Sequence, residues 1–269
     1  MHLSHPAADF QGIPKEDVFF AANDRFVQMG FGYVILSMQP ELYPDKPMHI
    51  YLYIEAQPSA RNLLLGALLA RAEQIRALYP HLKGRIYTHL QPNQWEMLNF
   101  YSHNGFINND AEEEYVFSIA DVAAPTPPMG CQFASVPLST QEEAQAFLNR
   151  INMYRMTPIT PDYLTVQMQQ PYFMALGFYR GGQPIGEIMV SGAQLEMAGL
   201  VTMYVVSSYR RRGIGKALAQ SAAALLRERG VRQCATQIYS LNEPQVRLVK
   251  SLGASRRRIV GILPSIDIG

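Results

Sequence analysis

Residues 201–230 carry the clearest change in the pattern of apolar and polar positions along the chain. Residues 201–206 are apolar and rich in β-branched side chains, as expected of a buried strand. A polar turn follows, and Gly230 stands where a glycine commonly ends a helix. Between them, small and apolar side chains recur at helical spacing: Ile214, Ala217, Leu218, Ser221 and Leu225. The pattern predicts a strand, a turn and an amphipathic helix.

Strand-like runs surround this unit in the second half of the chain. They cover residues 173–180, 183–192, 199–206, 231–239 and 255–263. Gly181 and Gly182 separate the first two runs, so we predict that the first three form an antiparallel meander. Ahead of the meander, Ser139 and Glu142 predict a capping box that opens a helix, and Pro161 begins a second short helix.

The first half of the chain repeats this order of elements more faintly. Its predicted strands cover residues 29–36, 48–55, 85–90 and 115–119, and its predicted helices cover residues 59–79 and 94–102. Between the halves lie four prolines that exclude regular structure: Pro125, Pro127, Pro128 and Pro137. We therefore predict two domains, residues 1–124 and 138–269, joined by a proline-rich linker at residues 125–137.

The turn before the predicted helix at Ile214 concentrates groups that bind anions. A helix start offers unpaired backbone N–H groups and the positive end of the helix dipole. Gly213 and Gly215 carry no Cβ, so the oxygens of an anion can approach the backbone closely. Four basic side chains add positive charge there: Arg210, Arg211, Arg212 and Lys216. This composition predicts a phosphate or pyrophosphate ligand.

The same residues carry a resemblance to a known family. Arg210-x-x-Gly213-x-Gly215, between an apolar strand and a helix, resembles the acyl-CoA pyrophosphate loop of the GNAT acetyltransferase superfamily. Downstream, residues 242–253 resemble the second signature of that family, with Ala254 where phenylalanine is usual. The loop differs from a nucleotide P-loop and from a dinucleotide fingerprint, because neither Gly-Lys-Ser/Thr nor G-x-G-x-x-G is present.

The first half resembles a degenerate copy of the same unit. Residues 93–106 match the second signature, whereas the run from Arg61 to Gly66 places Leu64 where the first glycine of the loop belongs. The chain therefore resembles a tandem GNAT protein in which only the second copy keeps its anion loop. The fold implied is α/β (α+β): two tandem GNAT-like domains, each with a mixed, mostly antiparallel central sheet flanked by helices.

The resemblance implies an acyl-CoA-dependent N-acyltransferase. The donor would be acetyl-CoA or another short acyl-CoA, and the acceptor a primary amine of a small molecule or peptide, with no metal ion involved. The donor would contact the end of the strand, the loop, the helix start and the second signature. The implied cofactor-binding residues are Met203, Tyr204, Val205, Val206, Arg210, Arg211, Arg212, Gly213, Ile214, Gly215, Lys216, Ala217 and Asn242.

Acyl transfer to an amine also needs groups that move protons. An alkyl amine with a pKa of about 10 is neutral roughly once in a thousand at pH 7, so a base is useful. Two carboxylates of the meander, each expected to face solvent, are candidate bases, and two tyrosines are candidate acids. These residues are Glu187, Glu196, Tyr204 and Tyr239. In the family a tyrosine of the second-signature helix often protonates the thiolate; Val249 stands at that position, and Phe100 in the first copy.

The resemblance also suggests roles for two further groups of residues. In GNAT folds the two helices ahead of the meander lie over the acceptor site, which makes their ends candidates for the acceptor pocket, with ordinary loop and core packing as the alternative. These residues are Tyr154, Arg155, Met156 and Tyr163. The run from Arg256 to Arg258 begins the last strand, and we expect an exposed sheet edge there rather than contact with the 3′-phosphate of CoA.

The net charge of +1 conceals an asymmetry between the halves. Residues 1–129 hold 8 Lys/Arg and 14 Asp/Glu, a net charge of −6, whereas residues 130–269 hold 15 and 8, a net charge of +7. A basic half is typical of a protein that binds a polyanion such as CoA or a nucleic acid. The alternative is that the basic half packs against the acidic half. The cluster of positive charge at the turn favours CoA. No nucleic-acid-binding module is recognisable, so we expect no nucleic-acid partner.

Composition limits the remaining classes of function. No run of about 18 apolar residues is present, and the first residues lack a secretion signal. Cys131 and Cys234 are too few for a disulfide framework. We expect a cytoplasmic protein without membrane contact, either a monomer or a homodimer. The alternative to an enzyme is a non-catalytic acyl-CoA sensor or regulatory module, because Val249 replaces the usual tyrosine and no base is evident.

Overall fold

The computed structural model describes all 269 residues, which form two compact units. Unit 1 consists of Met1–Asn109 together with Leu263–Gly269, and unit 2 consists of Asp110–Ile262. The chain therefore leaves the first unit, builds the whole of the second, and returns to the first with its last residues.

Unit 1 contains most of the first half of the chain. Its elements are β1 (His2–Ser4), β2 (Val18–Ala22), β3 (Gln28–Met38), β4 (Met48–Ala56), α1 (Pro58–Ala77), β5 (Gly84–Tyr87) and α2 (Trp95–His103). The first two strands were not predicted from the sequence. Helix α1 packs on β2, β3 and β4, with Leu64, Leu65 and Leu68 buried.

Unit 2 contains the anion-binding turn and all the elements around it. Its elements are β6 (Ala111–Ser118), β7 (Gln132–Ser135), α3 (Gln141–Asn152), α4 (Pro161–Met168), β8 (Met174–Arg180), β9 (Gln183–Ser191), β10 (Met197–Val205), α5 (Ile214–Glu228), β11 (Gln233–Tyr239), α6 (Glu243–Ser251) and β12 (Ser255–Ile262). The final strand, β13 (Ser265–Ile268), belongs to unit 1.

Each unit has one central sheet, and both sheets are mixed and mostly antiparallel. The order in unit 1 is β1-β2-β3-β4-β5-β13, where only β4 and β5 run parallel. The order in unit 2 is β12-β6-β11-β10-β9-β8-β7, where only β10 and β11 run parallel. The predicted α/β fold of two similar domains, each a mixed sheet flanked by helices, is confirmed.

Both faces of the second sheet are covered, which buries most residues of β8 and β9. On one face α5 packs against β8, β9 and β10 around Ile188, Leu218 and Leu226. On the other face α3 and α4 contribute Phe147 and Leu164 to a second apolar cluster that includes Met189. Successive residues of a strand point to opposite faces, so β9 buries Ile188 on one side and Met189 on the other. The same alternation directs Glu187 toward α3.

The strand composition of the two sheets differs from the prediction. The segment at residues 115–119, expected to complete the first sheet, forms the end of β6, which lies between β11 and β12 in the second sheet. In return, β13 from the C-terminus pairs with β5 in the first sheet. The compact units thus divide at Asn109 and Leu263 rather than at the predicted linker, and the end of the proline-rich segment forms β7, which pairs with β8.

Charge complementarity explains why β6 suits the second sheet. Its Glu113 accepts a 2.8 Å ion pair from Arg256 of β12, and Glu114 pairs with Arg258 at 3.2 Å. The strand β12 is an edge strand, as predicted for the arginine run, and its arginines pair with glutamates of β6. These exposed ion pairs favour the pairing of β6 with β12 but add little to the stability of the fold, because ion pairs near solvent contribute about 0–1 kcal/mol.

The helix starts of α3 and α4 follow the predicted chemistry with one shift of register. The capping box at α3 uses Thr140 and Glu143, one residue later than predicted, since the hydroxyl of Thr140 accepts the N–H of Glu143 while the carboxylate of Glu143 accepts the N–H of Thr140. Thr160 caps α4, whose first residue is Pro161, as predicted.

Two absences complete the description of the fold. No helix has both the length and the apolar character needed to cross a lipid bilayer. No group of three or more His, Cys, Asp or Glu side chains is arranged to hold a metal ion.

The two cysteines are free and differ in burial, which predicts different reactivity. Cys131 is partly exposed, whereas Cys234 is buried, and burial raises the pKa of its thiol to about 12. The thiolate is the reactive form, so Cys234 should resist thiol reagents. We expect a chromogenic disulfide reagent to titrate one thiol in the native protein and two in guanidinium chloride. Rapid reaction of both thiols in the native state would contradict the packing around β11.

Candidate functional site

The sheet of unit 2 opens between its two parallel strands. The ladder between β10 and β11 runs from the Met197–Gln233 pair to the Leu200–Thr236 pair and ends there, although both strands continue. A β-bulge lies at the same place, since Leu200 pairs with Val190 and Thr202 with Met189, which leaves Val201 unopposed. The strands therefore part at Val201, and the edge of β10 beyond it is open on the side of β11.

Strand alternation decides which backbone groups line this opening. The N–H of Val206 donates to the carbonyl of Ile185 in a 3.0 Å hydrogen bond, so it points toward β9. In an antiparallel pair successive residues direct their backbone groups to opposite sides, so Met203 and Val205 present theirs to the opening. Of the four strand residues predicted to bind the cofactor, these two have N–H groups on the correct side. Val206 and Tyr204 are directed to β9.

The loop after β10 brings a helix start to the edge of the opening. Residues 206–213 connect Val205 to α5, and within them Arg211 has φ +64° and Gly213 has φ +78°, both left-handed. Gly213 is the N-cap of α5, and no side chain caps this helix. The first N–H groups of α5 are therefore available to an anion, as predicted from the glycines.

Three of the four basic residues of the loop point to solvent around this helix start. Arg211, Arg212 and Lys216 are exposed, and the guanidinium of Arg212 lies 5.6 Å from the centre of the Tyr209 ring. Arg210 is different, because its Nε donates to the carbonyl of Val205 at 3.0 Å. It anchors the loop to the end of β10.

The other predicted cofactor residues of this region take part in packing and helix capping. The side chains of Ile214 and Ala217 are buried in the core against the sheet, and the N–H of Ala217 donates to the carbonyl of Gly213 at 2.9 Å. Asn242 caps α6, since its side-chain oxygen accepts the N–H of Gln245 at 3.3 Å. Asn242 is also buried, so its oxygen serves the helix rather than an open surface.

The second signature places Val249 on α6, and the structure identifies the residue of α2 that occupies the same position. Val249 is buried against Tyr115 and Ile238, so no hydroxyl reaches the opening from this position of α6. It lies seven residues after the N-cap of its helix, and the N-cap of α2 is Gln94. The counterpart is therefore Tyr101, not Phe100 as the sequence suggested, because the helix begins one residue later than assumed.

Unit 1 has no equivalent of the anion loop. A single residue, Gln57, separates β4 from α1, and the run from Arg61 to Gly66 lies inside that helix rather than in a loop. Arg61 donates to the carbonyl of Ala56 and forms a 2.7 Å ion pair with Glu96. The sequence comparison therefore aligned residues of helix α1 with the anion loop Arg210-x-x-Gly213-x-Gly215 of unit 2. Unit 1 lacks the anion loop altogether, so the residue at Leu64 is not the reason that the loop is lost.

Glu187 is fully buried, contrary to the expectation that it faces solvent. Arg150 of α3 binds it with two parallel hydrogen bonds, Nε to Oε2 at 2.9 Å and Nη2 to Oε1 at 2.8 Å. The Tyr204 hydroxyl donates to Oε2 at 2.7 Å, and the Tyr179 hydroxyl donates to Oε1 at 3.3 Å. Both oxygens are thus occupied by donors, so Glu187 is a structural carboxylate rather than a free base.

The remaining catalytic candidates lie in three different settings. Burial and the negative charge of Glu187 raise the pKa of Tyr204, so its hydroxyl keeps its proton and donates to that carboxylate. Glu196 is exposed just before β10 begins, about 30 Å along the strand from the loop at about 3.3 Å per residue. Tyr239 ends β11 and is half-buried beyond the last parallel pair. Among the four, only Tyr239 has its side chain on a strand end that borders the opening.

The carboxylate network extends from α3 to the loop through stacked rings. The rings of Tyr154 and Tyr204 stack at 4.6 Å with an angle of 5° between their planes. The guanidinium of Arg210 lies 5.7 Å from the centre of the Tyr154 ring. Sequence reasoning missed Arg150, although one signal was present, because it lies three residues after Phe147 and therefore near the buried face of the amphipathic helix α3.

Arg155 marks the point where the two strands part. Its Nη1 donates to the carbonyl of Val201 at 2.9 Å, and its Nε donates to the carbonyl of Thr157 at 3.0 Å. Burial lowers the pKa of Arg155, an effect opposed in part by Tyr239, Tyr163 and, least, Glu112. Of the other acceptor-pocket candidates, Tyr163 is exposed on α4 and Met156 is half-buried.

Comparison with known proteins supports the resemblance over unit 2. Residues 140–254 match the acetyltransferase (GNAT) family. This range includes α3, the opening, the loop and α6, so the match covers the features described above. No curated protein matches the sequence significantly.

Solved structures share the fold at low sequence identity. A GCN5-related N-acetyltransferase from Sphaerobacter thermophilus is 15% identical, with a TM-score of 0.52 over 96% of this chain and 82% of its own. A probable N-acyltransferase from Enterococcus faecalis V583 is 12% identical, with a TM-score of 0.55 over 92% and 61%. A tandem GNAT protein of the clavulanic acid pathway is 14% identical, with a TM-score of 0.47 over 94% and 82%, too low to carry weight. At these identities the likeness concerns the fold alone.

Proposed function

We propose that the protein is an acyl-CoA-dependent N-acyltransferase whose donor site lies in unit 2, because residues 140–254 match the acetyltransferase (GNAT) family. The donor is acetyl-CoA or another short acyl-CoA, and the acceptor is a primary amine of a small molecule or peptide. We further propose that the protein acts in the cytoplasm as a monomer or homodimer, without nucleic acid, membrane or metal.

One observation supports the proposal above the others. An open strand edge and an uncapped helix start meet at the loop of residues 206–213, as a long ligand with a diphosphate and an amide-containing arm requires. The first N–H groups of α5, with Arg211, Arg212 and Lys216 around them, suit the diphosphate. The N–H groups of Met203 and Val205 suit the carbonyl groups of a pantetheine arm and the acyl oxygen.

The chemistry follows from this placement. The amine nitrogen attacks the thioester carbonyl carbon, the negative charge that develops on the carbonyl oxygen is held by a β10 N–H, and the C–S bond then breaks. The electron pair leaves on the CoA sulfur, which takes up a proton as the new amide nitrogen loses one. A thiol with a pKa near 8.5 is a good leaving group, so the reaction tolerates Val249 in place of an acid. Tyr239 is the proposed proton donor.

The proposal predicts turnover in a thiol-release assay. Acetyl-CoA and a panel of amines, amino acids, aminoglycosides and short peptides are supplied to the protein, and free CoA thiol is measured. We expect release above the rate of spontaneous hydrolysis with at least one amine, and loss of that release in Gly213→Leu. The matched control is Gly66→Leu in α1, where an added side chain meets no atom within 4 Å.

A non-catalytic acyl-CoA sensor is the second candidate function. It is favoured by the engagement of both oxygens of Glu187 and by the burial of Val249, because neither position supplies a free proton-transfer group. Tight acyl-CoA binding without thiol release for any amine in the panel would support the sensor. Amine-dependent release that Gly213→Leu abolishes would reject it.

A further inference from the structure

Arg155 is a half-buried cation whose hydrogen-bond partners are both neutral. Its two hydrogen bonds go to the backbone carbonyls of Val201 and Thr157, and no carboxylate forms an ion pair with it. Arg150, the other arginine on this face, shows the contrast, because two parallel bonds to Glu187 neutralise it. A partly buried guanidinium without an ion-pair partner is suited to a ligand group of opposite charge.

The surroundings of Arg155 leave part of its guanidinium able to bind such a partner. An arginine carries five N–H donors, of which Arg155 uses two, one on Nε and one on Nη1. The ionisable side chains that face it come from three elements, Tyr163 on α4, Tyr239 on β11 and Glu112 on β6. The two tyrosines are uncharged at neutral pH, so Glu112 is the one anion among these three side chains, and it forms no ion pair with Arg155.

The position of Arg155 places this charge beside the reacting atoms of the proposed reaction. The carbonyl that it binds belongs to Val201, where β10 and β11 part, two residues before the first open N–H of β10. An acyl group held by that strand edge and an amine that attacks it would both lie within reach of a long arginine side chain. A substrate group that contacts Arg155 is therefore close to the bond that forms.

We propose that Arg155 binds a carboxylate of the substrate through its remaining guanidinium N–H groups, beside the proposed thioester site. The inference rests on the proposed function and adds the substrate class, an amine that bears a carboxylate, such as an amino acid or the C-terminal residue of a small peptide. The same chemistry would suit a dicarboxylic acyl group, such as the succinyl group of succinyl-CoA, and the experiment separates these two sources.

The first test uses the unchanged protein. Thiol release from acetyl-CoA is measured for amino acids and for their matched amides, and succinyl-CoA is compared with acetyl-CoA on neutral amines. We expect kcat/KM to be about 10- to 100-fold higher for the carboxylate in one of the two comparisons, the range typical of one charge-assisted pair of hydrogen bonds. Equal or lower values for the carboxylate in both comparisons, including no turnover in any arm, would overturn the proposal.

A variant assigns the preference to Arg155. In Arg155→Gln we expect the preference for the carboxylate over the matched amide, as a ratio of the two kcat/KM values, to fall about 10- to 100-fold. Arg229→Gln, at an exposed arginine after α5, is the charge-matched control and should behave as the unchanged protein. A preference that survives in Arg155→Gln would overturn the assignment.

Two measurements keep this proposal separate from the proposed function. Calorimetric titration with CoA measures binding at the donor site, and absence of binding would reject the proposed function. If CoA binds and turnover does not depend on the substrate carboxylate, only the proposed role of Arg155 is rejected. If Arg155→Gln does not fold, as judged by its thermal melt, the substrate comparison on the unchanged protein decides.

Discussion

Replacing Arg211 by Glu and Gly213 by Leu together should weaken CoA binding by at least about 100-fold. The first change reverses a charge beside the helix start. The second forces a branched side chain into a left-handed backbone conformation, φ +78°, at the N-cap of α5. Charge-assisted hydrogen bonds contribute about 1.5–3 kcal/mol each, so losing two of them accounts for the predicted factor. Isothermal titration with CoA measures it.

The control for this variant changes the same residue types away from the loop. Gly66 lies inside α1 with open space at its Cβ position, and Arg229 is exposed after α5, so Arg229→Glu/Gly66→Leu should bind CoA as the unchanged protein does. Tight CoA binding by the loop variant, or equal loss in the control, would show that the loop of residues 206–213 does not hold the ligand.

Replacing Glu187 by Gln should lower the free energy of unfolding by about 3 kcal/mol. The change leaves Arg150 with an uncompensated charge and weakens two tyrosine hydrogen bonds, and breaking one partner of a buried ion pair typically costs about 3–5 kcal/mol. We expect the lower end of this energy range because the Arg150 side chain is 28% exposed, so water can partly solvate its charge. Urea unfolding followed by circular dichroism gives the free energy.

Two companion variants test the cause of this loss. Glu196→Gln removes an exposed carboxylate near the same hairpin and should change the free energy of unfolding by less than about 0.5 kcal/mol. Glu187→Gln/Arg150→Met removes both charges and should lose less than the sum of the two single changes, because no unpaired charge remains. Additive losses, or a single-variant loss below about 1 kcal/mol, would contradict a buried ion pair.

The parts of the site that the sequence predicted well are those set by neighbouring residues. The helix α5 follows from its own spacing of apolar residues, and its start follows from the change of pattern at the glycine-containing turn. The start of α4 at Pro161 is likewise set locally, by the cap at Thr160. Such features depend on a few consecutive residues, so a pattern in the sequence is sufficient.

Strand partners were less predictable because they depend on distant residues. The pattern of β6 identifies a strand, but its partners β11 and β12, with the arginines that pair with its glutamates, lie far later in the chain. The pairing of β13 with β5 in the first sheet likewise joins residues that are far apart in the chain. The division of the chain into compact units was therefore misplaced, although the two sheets were foreseen.

The site chemistry was mispredicted where it rests on long-range contacts. Glu187 belongs to a strand buried on both faces, where alternation does not separate inward from outward positions, and its partner Arg150 lies 37 residues earlier. In α2, one residue of error at the N-cap moved the comparison from Tyr101 to Phe100. A buried ion pair and a helix register both require the packed structure.

A crystal structure with CoA bound would show where the donor binds. We expect one CoA per chain, in unit 2, with its diphosphate on the N–H groups at the start of α5 and its pantetheine arm along the open edge of β10 near Met203 and Val205. Diphosphate density on unit 1, or CoA bound to unit 2 away from Gly213, would contradict it.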